Sequence, residues 1–228
     1  MTVSESTLES PKCATAVLLD NSGSMRYEDL FVQVRRMGLA LDDLTRREYP
    51  GDWLSFIEFD TFAKLMKVEK IGTLAPKPII LYDPVVRLKA DMNDKRVIRS
   101  QIPQHFTNLQ HALELARKLL VLQEMPKRQI ILVTDGLPTA HFEGQYLYLL
   151  YPPDVRTTDA TLREGELCSR ERITINIILL QTWWQTSEDV EFALNLSESA
   201  NGRVFFVANS SDLDCSKVCE HFKQWREL

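Results

Sequence analysis

Several signatures are missing from these 228 residues. No apolar run approaches the length needed to span a bilayer; the longest, over 173–180, is broken by Thr174 and Asn176. There is no basic surplus: 27 Lys and Arg stand against 32 Asp and Glu, a net charge of −5. That weighs against nucleic acid as a partner, because its phosphates call for a basic surface. Cysteine is scarce, and Cys13, Cys168, Cys215 and Cys219 contain no CxxC pair of the kind that builds a zinc site. A Gly-rich phosphate loop with Lys is absent, as is a Gly-x-Ser-x-Gly nucleophile elbow. Residues 1–12 are polar and lack the apolar stretch of a secretory signal. They read as a disordered leader, and the expected compartment is cytoplasmic, where thiols stay reduced.

What remains has enough apolar residues for a sizeable core, and residues 13–228 read as one domain. Short apolar runs over 14–19, 53–59, 129–133, 173–180 and 204–207 read as buried strands. The segment 61–68 is expected to pair with 53–59 as a hairpin. Helical spacing marks 27–44, 109–120, 161–170, 186–200 and 211–226. Thr186 with Asp189 three residues on forms a start signal, and Asn201-Gly202 a stop. Residues 69–106 are the least legible, with a short helix expected near 94–101, and 137–158 read as a long loop. Nearly all-apolar strands alternating with amphipathic helices imply an α/β fold, doubly wound, with a mostly parallel central sheet covered on both faces. Such sheets place their sites beyond the carboxyl ends of the strands, where strand order reverses.

One constellation stands out there. Asp20-Asn21-Ser22-Gly23-Ser24 follows the first strand, so a carboxylate and two hydroxyls at i, i+2 and i+4 of a turn can converge. These are hard oxygen donors, suited to Mg2+ or Mn2+. Read alone, the same turn also serves as a helix N-cap. Thr107 opens the helix over 109–120, and Asp135 ends the strand over 129–133. All five residues fall on one edge of the sheet.

On these motifs the sequence resembles the von Willebrand factor type A (VWA) domain with its metal-ion-dependent adhesion site. The match is Asp20, Ser22 and Ser24, then Thr107, then Asp135, in order along 13–227. The resemblance implies that the serines ligate the metal directly. The threonine and aspartates alternate between direct and water-mediated contact, and a partner carboxylate or water fills the sixth position. The stretches 105–108, 134–144 and 149–153 resemble bacterial proteins that work beside MoxR-type AAA+ ATPases, among them the CoxE-like ones. One departure is plain: His105-Phe106 stands where the family commonly has Gly-Gly.

Other residues have two readings. His105 and His141 flank the metal loops and are expected behind the ligands or on the surface, since a hard ion prefers oxygen. His111 and His221 are expected on exposed helix sides. Cys215 and Cys219, four apart, read as apolar residues on the buried side of a helix, or less simply as half a zinc site with His221. Tyr146 to Tyr151 is either an interaction surface or a short core element, with at least three of six side chains expected partly exposed near the metal edge. Trp183-Trp184 either rims that edge or packs. The function that follows is a metal-dependent protein-binding module and not an enzyme, an adaptor for an AAA+ ATPase whose partner presents Asp or Glu. An extracellular adhesion domain, with Cys13 bridged to Cys215 or Cys219, is the alternative. A metal-dependent hydrolase is a third, but no second acid follows Asp20 at the spacing a phosphoaspartate enzyme needs.

Overall fold

Strand β1 (Cys13–Asp20) is buried along its whole length. In a computed structural model describing residues 11–208 and 215–227, it lies near the middle of a six-stranded sheet. The order is β3 (Ala63–Met66), β2 (Trp53–Phe59), β1, β5 (Lys127–Thr134), β8 (Ile173–Leu180) and β9 (Val204–Val207). All neighbours are parallel except β2 and β3, which form the expected antiparallel hairpin. Helices α2 (Leu109–Leu120), α3 (Val155–Arg170) and α4 (Ser187–Ser199) cover one face, with Leu109, Leu113, Phe192 and Leu196 in its core. Helices α1 (Leu30–Glu48) and α5 (Cys215–Glu227) cover the other, where Val34, Met37, Val218 and Phe222 meet β1, β5 and β8. Each fully buried Leu, Phe or Met contributes about 1.5–3 kcal/mol over leaving it in water. Two covered faces are the reason the central strands carry unbroken apolar runs. The α/β, doubly wound reading therefore holds.

Three expectations are corrected. Residues 137–158 are not a long loop: β6 (Ala140–Glu143) and β7 (Tyr146–Tyr151) form a hairpin. Its two-residue turn places Gly144 at φ 57°, a value that glycine adopts without strain. Strand β4 (Val86–Asp91), from the illegible segment, pairs with β7, giving a second sheet in the order β4-β7-β6. Helix α3 starts at Val155 rather than 161, because Asp154 accepts the amide of Arg156 at 3.0 Å and caps it. The helix expected near 94–101 shrinks to a 3-10 turn over Arg99–Gln101. Residues 1–10 of the expected leader over 1–12, and the expected start of the last helix at 211–214, lie outside the described residues.

Several polar side chains inside the molecule pair with one another. Under α5, the Gln129 amide donates to Thr15 Oγ1 and that of Asn176 donates to Gln129 Oε1, both at 3.1 Å, crossing β1, β5 and β8. Asn176 Oδ1 in turn accepts the Arg203 amide at 3.1 Å. At the opposite end from Asp20, Arg226 of α5 holds Asp52 with bonds of 2.6 and 2.8 Å, and both side chains are buried. Asp52 also accepts the Cys13 amide at 3.0 Å, and the Arg226 guanidinium lies over the Tyr49 ring. Asp52→Ala removes one charge of a buried ion pair and takes the carboxylate from the buried Arg226 guanidinium, so it should cost about 3–5 kcal/mol. Urea unfolding of the variant against the parent checks this; a loss below 1 kcal/mol, about the ceiling for exposed ion pairs, contradicts it.

Candidate functional site

The chain leaves β1 for β2 on one side and later places β5 on the other, so strand order reverses between β1 and β5. A crevice opens at that point in sheets of this design. Asp20 is the last residue of β1, and Asp135 follows the last residue of β5. Asp20 accepts the Ser22 amide at 2.8 Å and the Thr134 hydroxyl at 2.6 Å. Ser22 Oγ is 3.1 Å from Ser24 Oγ. The Ser24 hydroxyl lies near enough to the Asp135 carboxylate to favour its charged form. Asp20, Ser22, Ser24 and Asp135 thus neighbour one another in turn. Thr107 lines the same cavity as Ser24 and Asp135, a space of about 710 Å3. The structure therefore gathers all five sequence-predicted residues on one edge.

Burial sets the electrostatics. Asp20 and Asp135 are both buried, and Asp60 sits close behind Asp20. Desolvation is the largest influence on Asp20; hydrogen bonds from Thr134 and Ser22 oppose it, yet its carboxyl rises to about 6. Desolvation followed by the charge of Asp20 raises that of Asp135 to about 7. Asp60 is raised too, by burial, although it accepts the Phe62 amide at 2.9 Å and faces Lys77 at 3.6 Å. A cation between the two site carboxylates would relieve what burial and mutual repulsion impose. Hydroxyls of Ser22, Ser24 and Thr107 complete an all-oxygen donor set that fits Mg2+ or Mn2+. No group of three His, Cys, Asp or Glu side chains suited to a metal occurs among the described residues, so any site here depends on hydroxyls.

Sequence reasoning missed the supports. Thr139 Oγ1 accepts the Thr107 amide at 2.9 Å, and the Thr107 carbonyl accepts the amides of Thr139 and Ala140 at 2.9 and 3.0 Å. Asp189 closes the capping box of α4 and also accepts the Leu137 amide at 3.1 Å. A Cβ on Gly136 would fall 2.5 Å from that carboxylate, which gives the glycine its role. Only the capping box was visible in the sequence. The His105 carbonyl takes the Gly23 amide at 2.9 Å, and Gly23 has Ile79 and His105 too close to admit a side chain.

Three of the four histidines depart from expectation. His141 is fully buried, not at the surface: Nδ1 meets Thr157 Oγ1 at 3.0 Å, Nε2 meets Glu143 at 3.3 Å, and the ring stacks on Tyr148. His105 is half-buried with Nδ1 unpartnered, and burial lowers its ring below the usual histidine range. His111 is half-buried, with Nδ1 accepting the Ala63 amide at 3.1 Å. His221 is half-buried against Phe205 and Trp225. In the 146–151 strand, Tyr146, Tyr148 and Tyr151 are at least partly exposed and the leucines are buried, but only Tyr151 lines the cavity. Trp183 and Trp184 do rim it. No disulfide joins the four cysteines; Cys13 and Cys168 are buried, Cys215 and Cys219 half-buried. The Cys13 bridge of the extracellular alternative is thus not present.

Residues 13–222 match the family model described as Rv0959-like protein, vWA domain. The chain belongs to this family. The VWA domain is 29% identical over 174 residues to the Mycobacterium tuberculosis protein Rv0959 and to its Mycobacterium bovis counterpart Mb0984. That covers 74% of this chain but 22% of those proteins, so the domain spans about a fifth of the curated relatives it matches. Among solved structures it is similar to an aerotolerance-related membrane protein from Bacteroides fragilis, with TM-score 0.59 and 16% identity over 94% of this chain and 98% of that one. It is also similar to the vWF domain of the pilus tip protein Mfa5 from Porphyromonas gingivalis (0.61; 11%; 94% and 96%) and to the SpRpn10 VWA domain (0.55; 12%; 92% and 95%). These likenesses establish the fold. No helix among the described residues is long and apolar enough to cross a membrane.

The raised carboxyls make a pH prediction for the metal-free domain. Asp20 and Asp135 keep protons in the folded state that they lose from 3.8 when unfolded. Their contribution is therefore full below pH 4, declines as pH rises to about 7, and is level above. The melting temperature of the parent minus that of Asp135→Asn should fall over this window in EDTA; a flat or rising difference contradicts it.

Proposed function

We propose that this VWA domain is a metal-dependent protein-binding module in which Ser22, Ser24, Thr107, Asp20 and Asp135 hold one Mg2+ or Mn2+. The observation that carries it is the pair of buried carboxylates with two neighbouring serine hydroxyls, 3.1 Å apart, at the strand-order reversal. When bound, the ion supplies positive charge and an open position for an Asp or Glu of the partner. Three of the five donors are neutral, which supports a net positive centre once the ion is in place. Asp20 already accepts two hydrogen bonds, which supports its acting at one remove while Ser24 and Thr107 line the cavity. Hydrogen bonds from 139–140 hold Thr107 at the cavity wall, and Asp189 holds the loop after Asp135. Exclusion of water by a docked partner strengthens the attraction between ion and carboxylate.

The motif resemblance at 105–108, 134–144 and 149–153 supports a cytoplasmic adaptor role beside a MoxR-type AAA+ ATPase. Membership of the VWA family supports a non-enzymatic, protein-interaction role. Calorimetry should register Mg2+ or Mn2+ binding to the parent, and either ion should raise its melting temperature by mass action. Ser22→Ala, Thr107→Ala and Asp135→Ala should each weaken binding by about tenfold or more, the cost of about 1.4 kcal/mol of lost coordination. Partner capture should vanish with EDTA and return with Mg2+. A partner held at full strength by the Asp20→Ala, Asp135→Ala double variant would place the function on another face.

A further inference from the structure

We infer that the partner segment is extended, with one Asp or Glu at the metal position and a bulky apolar side chain two residues away on each side. This rests on the metal-site reading above and adds what surrounds the acid. The cavity of about 710 Å3 is one of two that meet at the site. A second, of about 400 Å3, shares Ser24, Tyr27, Thr107, Thr139 and Tyr151 with it. Ser24 and Thr107 are proposed donors, so the metal position falls at the junction of two arms.

Both arms are apolar and aromatic. Leu137, Pro152, Pro153, Trp183 and Trp184 line the first. Ile79, Leu81, Tyr82, Pro84 and Phe106 line the second. Trp183 in one arm is 82% exposed and Tyr82 in the other 83%. Tyr27 and Tyr151, on the shared wall, are about half exposed, and Tyr27 meets Trp184 edge to face at 5.6 Å. Aromatic surface of this extent left to water marks a binding site, and Trp and Tyr are the residues that most often anchor one.

The charges select the occupant. Asp135, Glu188 and Asp189 are the charged lining residues of the first arm, and Asp83 of the second. No Lys or Arg lines either arm among the described residues. A partner carboxylate therefore finds no cationic side chain in the groove and has its counter-charge only at the junction, while uncharged apolar groups suit the arms. In an extended chain, side chains at i−2, i and i+2 point to one face about 6.6 Å apart. An acid turned down at the junction thus places its second neighbours over the two arms.

The test is selection of a displayed heptapeptide library with Asp fixed at the centre, on the parent domain in Mg2+, with elution by EDTA. Aromatic and aliphatic residues should be enriched at both positions two removed from the Asp. A selected peptide should lose about fivefold in affinity on Trp183→Ala and on Tyr82→Ala, the effect of losing an anchor worth about 1 kcal/mol. Each variant should relax the preference on one side only, and Thr107→Ala should abolish binding. EDTA-eluted peptides with no preference at those positions overturn this inference and leave the metal reading standing. Apolar peptides that bind equally in EDTA, or with Asn for Asp, overturn both. No peptide retained by a domain that binds Mg2+ in calorimetry overturns the inference alone.

Discussion

Two carboxylates, Asp20 and Asp135, are buried near one another at the carboxyl edge of a parallel sheet. Left ionised and alone, such a pair is costly, because each charge loses its water and feels the other. The surroundings answer that cost in part: Thr134 and Ser22 donate to Asp20, and the Ser24 hydroxyl beside Asp135 favours its charged form. The answer is incomplete, as the raised carboxyl values show. Such an arrangement holds back stability that a cation could restore, and the metal site proposed above is built on that electrostatic imbalance.

The rest of the fold makes the pair possible. Helices on both faces of the sheet bury its central strands, so the strand ends converge in a setting shielded from water. The polar ladder of Thr15, Gln129 and Asn176 ties β1, β5 and β8 together in the interior. A register slip between these strands would break it, and would also carry Asp20 away from Thr134. The Arg226–Asp52 pair fixes the last helix against the start of β1 at the far end. Sheet, helices and ladder together set the spacing of the site donors.

The central sheet was legible because its strands are apolar throughout and its helices keep a regular apolar stripe. Asp20, Ser22, Ser24, Thr107 and Asp135 were legible because each stands at the end of a strand or the start of a helix, where this architecture collects its donors. The second sheet was not. Its strand β4 carries Arg87 and Lys89 on exposed positions and has no apolar run. Its hairpin β6–β7 was hidden in a segment whose turn, Gly144-Gln145, was the one readable sign. The buried state of His141 was unreadable for another reason: its partners Thr157 and Tyr148 are brought to it only by strand pairing and by the placement of α3. Exposure of Trp183 could not be separated from packing, since the residues that form the groove beside it come from four distant stretches of chain.

The hydrogen bonds between Thr107 and residues 139–140 bear on how this chain can change length. Only Gly136, Leu137 and Pro138 lie between Asp135, fixed at the end of β5, and Thr139, fixed to the Thr107 loop. An inserted or deleted residue there would alter the separation of two donors carried on different elements. At the Gly144 turn, by contrast, a Cβ would meet nothing within 4 Å. A change of chain length is thus opposed between 135 and 139 and accommodated at 144–145, although the two places are only a few residues apart.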